Sequence, residues 1–320
     1  MPAEFLVCGN VTVTVIVLAM KARRRSLLIA LSVFLLLAAV WFGWSPREPV
    51  YEGRALSEWL DDLYIDFSGA SPNPLEDDRA CAKNAIREMG EDAIPMMVKM
   101  LKPESRFESW AKALVAKQSL VKFNFDSKDE RRYCAAIGFE ALGPRAKSAI
   151  PELVNYAEDA NPRVRQPALL ALGLIGAEAE VVVPVLQKAL GDPVASIQGT
   201  SAAVLRFFGE SARVAAPELM KCVNGGDRYA KIKAAETIAI IAPELATNTI
   251  PALAAMLNVG QPFEPSALRL LGSMGPAARA ALPQIRIACE SKTGFIRRQA
   301  RETLKEIDPE AKVSWDTEQR

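Results

Sequence analysis

The 320-residue chain contains no histidine. That removes the commonest general base and the commonest zinc ligand. Five cysteines remain as possible nucleophiles or ligands: Cys8, Cys81, Cys134, Cys222 and Cys289, none of them in a CxxC pair. Cys81 and Cys134 share a position nine residues before a recurring glycine. Stacked helices sit roughly 8–10 Å apart, whereas a disulfide needs Cα atoms within about 7 Å. Small buried thiols are therefore the expectation, with a Cys81–Cys134 bridge as the lesser alternative. The acidic pairs Asp61–Asp62 and Asp77–Asp78 stand where helix capping explains them. There is no glycine-rich phosphate loop, nucleophile elbow or cluster of metal ligands. No catalytic residue, metal or cofactor is expected.

Binding chemistry has better candidates. Four residues after each of a series of prolines stand Lys99, Asn155, Lys188, Lys221, Ala255 and Ile287. Glu152, Glu218 and Gln284 stand one residue after such prolines. A basic row that turns apolar at one end fits an acidic or extended peptide. A solvated helix face is the alternative, because charge runs on helices are usually that. Phe107 and Trp110 form a second candidate, in a segment that breaks the surrounding pattern.

The elements that position these residues form a repeat. Gly143, Gly176, Gly209, Ala242, Gly275 and Asp308 recur at one constant step. Pro151, Pro184, Pro217, Pro251 and Pro283 keep the same rhythm, with Gly90 and Pro95 in an earlier copy. Two markers sharing one period, roughly 33 residues, signal stacked structural units. Eight residues before the glycine position stand Ala82, Ala135, Ala168, Ser201, Ala234, Ala267 and Ala300. Four before it stand Ile86, Phe139, Leu172, Leu205, Ile238, Leu271 and Leu304, and one before it is again apolar. The spacing i, i+4, i+7 is one face of a helix, and the glycine is expected to close it as a left-handed cap. The proline is expected to open a second helix, with Met97, Leu153, Leu186, Leu219, Leu253 and Ile285 facing inward two residues later. A single pair of helices cannot cover its own apolar faces, so neighbours must stack. The fold class is all-α: an α-solenoid of antiparallel helix pairs, which resembles the armadillo/HEAT superhelices.

The stretch Asn161, Pro162, Val164, Arg165, Ala168, Leu172, Gly173, Gly176 resembles the HEAT-like repeat family in its short, phycobilisome-lyase form. Ile296, Arg297, Ala300 and Leu304 carry a second copy. The resemblance covers residues 77–311. It implies that second helices line the concave face and that Arg165 and Arg297 bond neighbouring repeats. It speaks to fold far more than to function. HEAT-like enzymes that hold iron through His-Glu pairs are excluded by composition. A lyase-type enzyme binding a tetrapyrrole in the groove stays as the alternative to a non-enzymatic protein-binding scaffold.

Ser26–Trp44 is nineteen residues without a charge, preceded by Arg23–Arg25 and closed by tryptophans. About 20 apolar residues span a membrane, and basic flanks stay in the cytoplasm. Residues 26–44 are read as a transmembrane anchor rather than a cleaved signal, with residues 1–25 inside and the solenoid outside. Met20 followed by a basic run reads as the natural start, which would put residues 1–19 upstream of it. Residues 45–76 are a linker and a capping helix over Tyr51–Leu63, N-capped by Ser57. That opening resembles membrane-anchored HEAT-repeat proteins of verrucomicrobial and planctomycete bacteria. An insertion at about 103–130 interrupts the 77–311 solenoid, and 312–320 is a polar tail with Trp315. Glu4 against Lys21 and Arg23–Arg25 makes the first 44 residues +3, which leaves −2 for the rest of a chain whose net charge is +1. That argues against a nucleic-acid partner. The expected partners are protein and, through 26–44, membrane.

Overall fold

The computed structural model describes residues 48–64, 75–103, 128–176, 178–257 and 263–310. The expected anchor, the insertion with Phe107 and Trp110, and Trp315 lie outside the described residues.

A short hairpin, β1 (Val50–Tyr51) and β2 (Arg54–Ala55), leads into α1 (Leu56–Asp61). The first helices of the repeats are α2 (Glu76–Met89), α4 (Lys128–Leu142), α6 (Pro162–Ile175), α8 (Ala195–Leu205), α10 (Arg228–Ile241), α12 (Glu264–Ser273) and α14 (Gly294–Ile307). The second helices are α3 (Ile94–Leu101), α5 (Ile150–Ala157), α7 (Ala179–Ala189), α9 (Ala216–Gly225), α11 (Ile250–Ala255) and α13 (Leu282–Ala288). First helices pack on one another, and second helices pack against the first helix of the next repeat. This is a stack of helix pairs, as the spacing predicts.

The sequence columns become layers of one continuous core. Every residue of the Ala82-to-Ala300 column is fully buried. So are Ile86, Phe139, Leu172, Leu205, Ile238 and Leu271 in the large column, and Met97, Leu153, Leu186 and Leu219 on the second helices. The small residue lets two first helices approach, and the large one fills the space beside it. Each fully buried Leu or Ile contributes roughly 1.5–3 kcal/mol.

The connections differ from the expectation in two ways. Gly90, Gly143, Gly176, Gly209 and Gly275 all have positive φ, and Gly176 (φ 64°, ψ 41°) is the expected left-handed helix cap. Gly90 and Gly209 pair a positive φ with ψ of −139° and −131°. The chain there runs on through a 3-10 segment into the second helix, so the glycine acts as a hinge between helices. Pro151, Pro217, Pro251 and Pro283 open their helices as expected, but Pro184 lies inside α7, which begins earlier, at Ala179. Ala179–Val183 takes regular α geometry where the other repeats form 3-10 turns.

The N-terminal cap also differs. Its helix starts at Leu56 with Ala55 as the cap residue, not Ser57. Residues 50–55 turn back as a hairpin because Glu52 and Gly53 both adopt positive φ. The expected apolar face is present: Leu56, Trp59, Leu60 and Leu63 are buried, and α1 covers α2 and α4. The Arg54 guanidinium lies 3.9 Å over the Trp59 ring and 2.9 Å from the Asp62 carboxylate. Of the described cysteines, Cys134, Cys222 and Cys289 are buried free thiols, while Cys81 is free and exposed. Cys81 lies one position off the buried Ala82 stripe of α2, towards solvent.

Arg165 couples neighbouring repeats as the family resemblance implies. Its guanidinium donates to both carboxylate oxygens of Asp192, at 2.8 and 2.9 Å, and to the Asp159 and Ala160 carbonyls. Arg297, in the last unit, donates to the Ser291 carbonyl at 2.8 Å.

Candidate functional site

The expected row on the second helices does face outward. Lys99, Asn155, Lys188, Lys221, Ala255 and Ile287 are all exposed. Its charge is largely compensated within the stack, however. Lys188 Nζ lies 2.7 Å from Glu158 of the preceding repeat, and Lys221 Nζ lies 4.0 Å from Glu218. Glu218 also accepts from Gln187, and Glu152 accepts from the Tyr156 hydroxyl. Burial and the Glu152 carboxylate both hold the Tyr156 phenol well above its usual range. These residues work as ties along the second-helix layer. Phe107 and Trp110 lie outside the described residues.

A hollow of about 380 Å³ lies on the other layer, over the first helices. It follows the seam between α6 and α8. Pro167, Leu170, Ala203 and Val204 form its floor. Tyr133 of α4 and Tyr229 of α10 wall one end, together with Asp129 and Arg163. Arg206 and Phe207, just past α8, stand at the other. Four consecutive first helices thus contribute to one site.

The local chain explains the shape. Gly199 in α8 has no side chain, and the Tyr229 ring takes that space: a Cβ at Gly199 would lie 2.2 Å from the ring. Tyr229 is held from the far side by Phe263, with ring centroids 5.9 Å apart. Burial pushes the Tyr229 phenol up, and the Thr200 hydroxyl bonded to it pulls the other way. Gln166 reaches across the seam, donating to Thr200 at 3.1 Å and accepting from Ser196 at 3.1 Å. These bonds hold the floor as a fixed surface. Burial is also the first cause of the raised Tyr133 phenol, followed by the charge of Tyr229, so the two walls lie within electrostatic reach of each other.

The charge at the hollow is positive. Asp129 is shared between Arg132 at 3.0 Å and Arg163 at 2.6 Å. Arg132 is almost fully buried and also donates to the Lys102 carbonyl. Arg206 lies 5.0 Å from the centroid of the exposed Phe207 ring. Among the described residues no carboxylate pairs with Arg206. Nor does any group of three or more Cys, Asp or Glu among them have the arrangement of a metal site.

These residues were not singled out from sequence, although a signal existed. Tyr133, Gln166 and Gly199 share the column ten before the glycine position, and Arg163, Ser196 and Tyr229 the column thirteen before it. Both columns lie on the first helices, whereas the second helices received the functional expectation.

A stack of antiparallel helix pairs with an outward site built by several repeats defines the α-solenoid class. The family model for HEAT repeats matches residues 117–206, which includes all of α6 and α8. That stretch of the chain carries HEAT-like repeats. No curated protein matches it. Computationally designed armadillo repeat proteins for modular peptide recognition are similar over 67% of this chain and 100% of their own, at 16% identity and a TM-score of 0.46. The karyopherin Kap121p bound to the SUMO protease Ulp1p is similar over 79% of this chain, at 15% identity and a TM-score of 0.47. This chain covers 28% of that karyopherin's length. Among the described residues no helix is long and apolar enough to cross a membrane.

Proposed function

We propose that this chain is a membrane-anchored scaffold that holds protein partners on the extracytoplasmic side of the membrane and carries out no chemistry of its own. The observation that carries this reading is the first-helix hollow. Its walls, floor and charges come from four consecutive repeats, the way a solenoid presents a surface to a polypeptide. A volume of about 380 Å³ is at the small end of the roughly 300–1,000 Å³ of ligand pockets. That suits a few side chains better than a large prosthetic group. The anchor is argued from sequence: the uncharged stretch 26–44 follows Arg23–Arg25, and basic flanks remain cytoplasmic.

Two measurements test the proposal. Protease added outside intact cells should degrade the repeats, and alkaline carbonate should leave the chain in the membrane. Affinity capture from envelope extracts with the detergent-solubilised full chain should retain a protein that a Lys188→Glu/Lys221→Glu variant or an Arg163→Glu/Arg206→Glu variant loses. Repeats protected from outside protease would overturn the topology. Equal recovery with wild type and both variants would remove the two faces as docking surfaces. A purified chain carrying a visible chromophore would replace the scaffold reading with a ligand-binding one.

A further inference from the structure

We infer that the hollow between α6 and α8 is a docking site for an extended acidic peptide segment, with Arg163 and Arg206 reading two carboxylates and the floor taking an apolar side chain between them. The inference rests on the scaffold reading and names the face and the chemistry of the partner.

Charge selects the sign of the occupant. Two guanidiniums line the hollow against one carboxylate, Asp129. That carboxylate is already bound by Arg163 and by the buried Arg132 beneath it. Arg163 keeps donors for a ligand, because its side chain is 71% exposed and its one ion pair uses a single nitrogen. Arg206 is exposed and has the Phe207 ring, not a carboxylate, beside it. A carboxylate brought to either site gains a charged hydrogen bond at no cost to an existing one. A basic segment would meet uncompensated like charge.

Geometry selects the shape. Arg163 stands at the start of α6 and Arg206 at the end of α8. The two positions are thirteen and three residues before their glycines, so they differ by ten residues along parallel first helices. At 1.5 Å per residue that is about 15 Å, or four to five residues of extended chain at roughly 3.3 Å each. Between them the floor is apolar, with Leu170 and Val204 at its centre. A fitting segment has two Asp or Glu about five residues apart, with a Leu, Val or Phe between them. The hollow is on the layer opposite the exposed lysine row, so the two faces can be tested separately.

The experiment is a selection of random displayed peptides on the full chain in detergent micelles, followed by titration of the winning peptide in fluorescence anisotropy. Enrichment of paired acids around an apolar residue is expected. Arg206→Glu should weaken the winning peptide at least about tenfold, the scale of one charged hydrogen bond. Lys188→Glu should leave it unchanged. Arg206→Gln keeps the stem over Phe207 and removes the charge, so it should show a smaller loss of the same sign with helicity intact. Enrichment of neutral or basic sequences, or no enrichment, would overturn the assignment. So would a winning peptide indifferent to both Arg206 variants. An envelope partner captured equally by wild type and Arg206→Glu would overturn this site while leaving the scaffold reading in place.

Discussion

The Tyr229 ring occupies the space that a side chain at Gly199 would need, so close that a Cβ there would lie 2.2 Å from ring carbon Cδ1. This packing sets one wall of the hollow. Gly199→Ala should therefore act in two opposite ways. Overpacking costs about 1–3 kcal/mol, while replacing a mid-helix glycine gains about 0.5–1 kcal/mol. Urea unfolding should show a net loss in the wild-type background. In a Tyr229→Ala background the clash is gone, so the same substitution should stabilise. A loss of equal size in both backgrounds would show that the ring is not what Gly199 accommodates.

Arg165 and Arg297 occupy the same position of their repeats but do different work. Arg165 holds the nearly buried Asp192 in a two-pronged pair. Arg165→Ala leaves that carboxylate with the Val194 N–H and should cost about 3 kcal/mol or more, as for other broken buried pairs. Arg165→Lys should recover only part, since an ammonium cannot make both bonds in the plane. Arg297→Ala loses a bond to one carbonyl and should cost roughly 1–2 kcal/mol. Thermal unfolding of the three variants measures the ranking. Equal losses for Arg165→Ala and Arg297→Ala would contradict it.

The fold was legible because burial imposes one residue class per layer. No charged residue stands in the Ala82-to-Ala300 column, since any such side chain would separate two first helices. The hollow was less legible because its residues are chosen by each other rather than by a layer. Gly199 is small because Tyr229 is large, and those two residues are far apart in sequence. The lysine row was read correctly as exposed. What identity alone did not reveal is that Glu158, in the preceding repeat, and Glu218, one turn away on the same helix, already face Lys188 and Lys221. The glycine positions were visible too. Whether ψ falls at 41°, as at Gly176, or at −131°, as at Gly209, is decided by the segment that follows.

The buried thiols predict an alkaline limit to stability. Burial pushes Cys134 up to about 12 and Cys289 up to about 11, from an ordinary 9.0. The folded chain therefore holds protons that the unfolded chain releases between about pH 9 and 12. Stability contributed by these neutral thiols is complete below pH 9 and falls as pH rises through that window. Urea midpoints should decline from pH 9 to 11, and less steeply in Cys134→Ala. In a Cys8→Ser variant, a thiol reagent at pH 8 should label one cysteine, Cys81, in the folded chain and four after unfolding. Labelling of Cys134 or Cys289 in the native state would show that they are not shielded.

The two kinds of glycine joint give the sharpest contrast. Gly176 is left-handed, with φ 64° and ψ 41°, a conformation asparagine adopts readily. Gly209 has φ 51° and ψ −131°, a region from which residues with a Cβ are nearly excluded. A Cβ at either position would touch nothing within 4 Å, so backbone strain alone separates them. Gly176→Asn should cost under about 1 kcal/mol, and Gly209→Asn about 1–3 kcal/mol. The chain itself carries the control. Ala242 stands at the same repeat position and turns with φ −148° instead. Its repeat takes one residue more to reach the next helix-opening proline, Pro251, than Gly209 takes to reach Pro217. Gly209→Ala should therefore be partly rescued by one alanine inserted between residues 210 and 216, giving that joint the length used at Ala242. Differential scanning calorimetry of the single and inserted variants decides the matter. A further loss on insertion would mean that the extra residue does not compensate for the missing glycine.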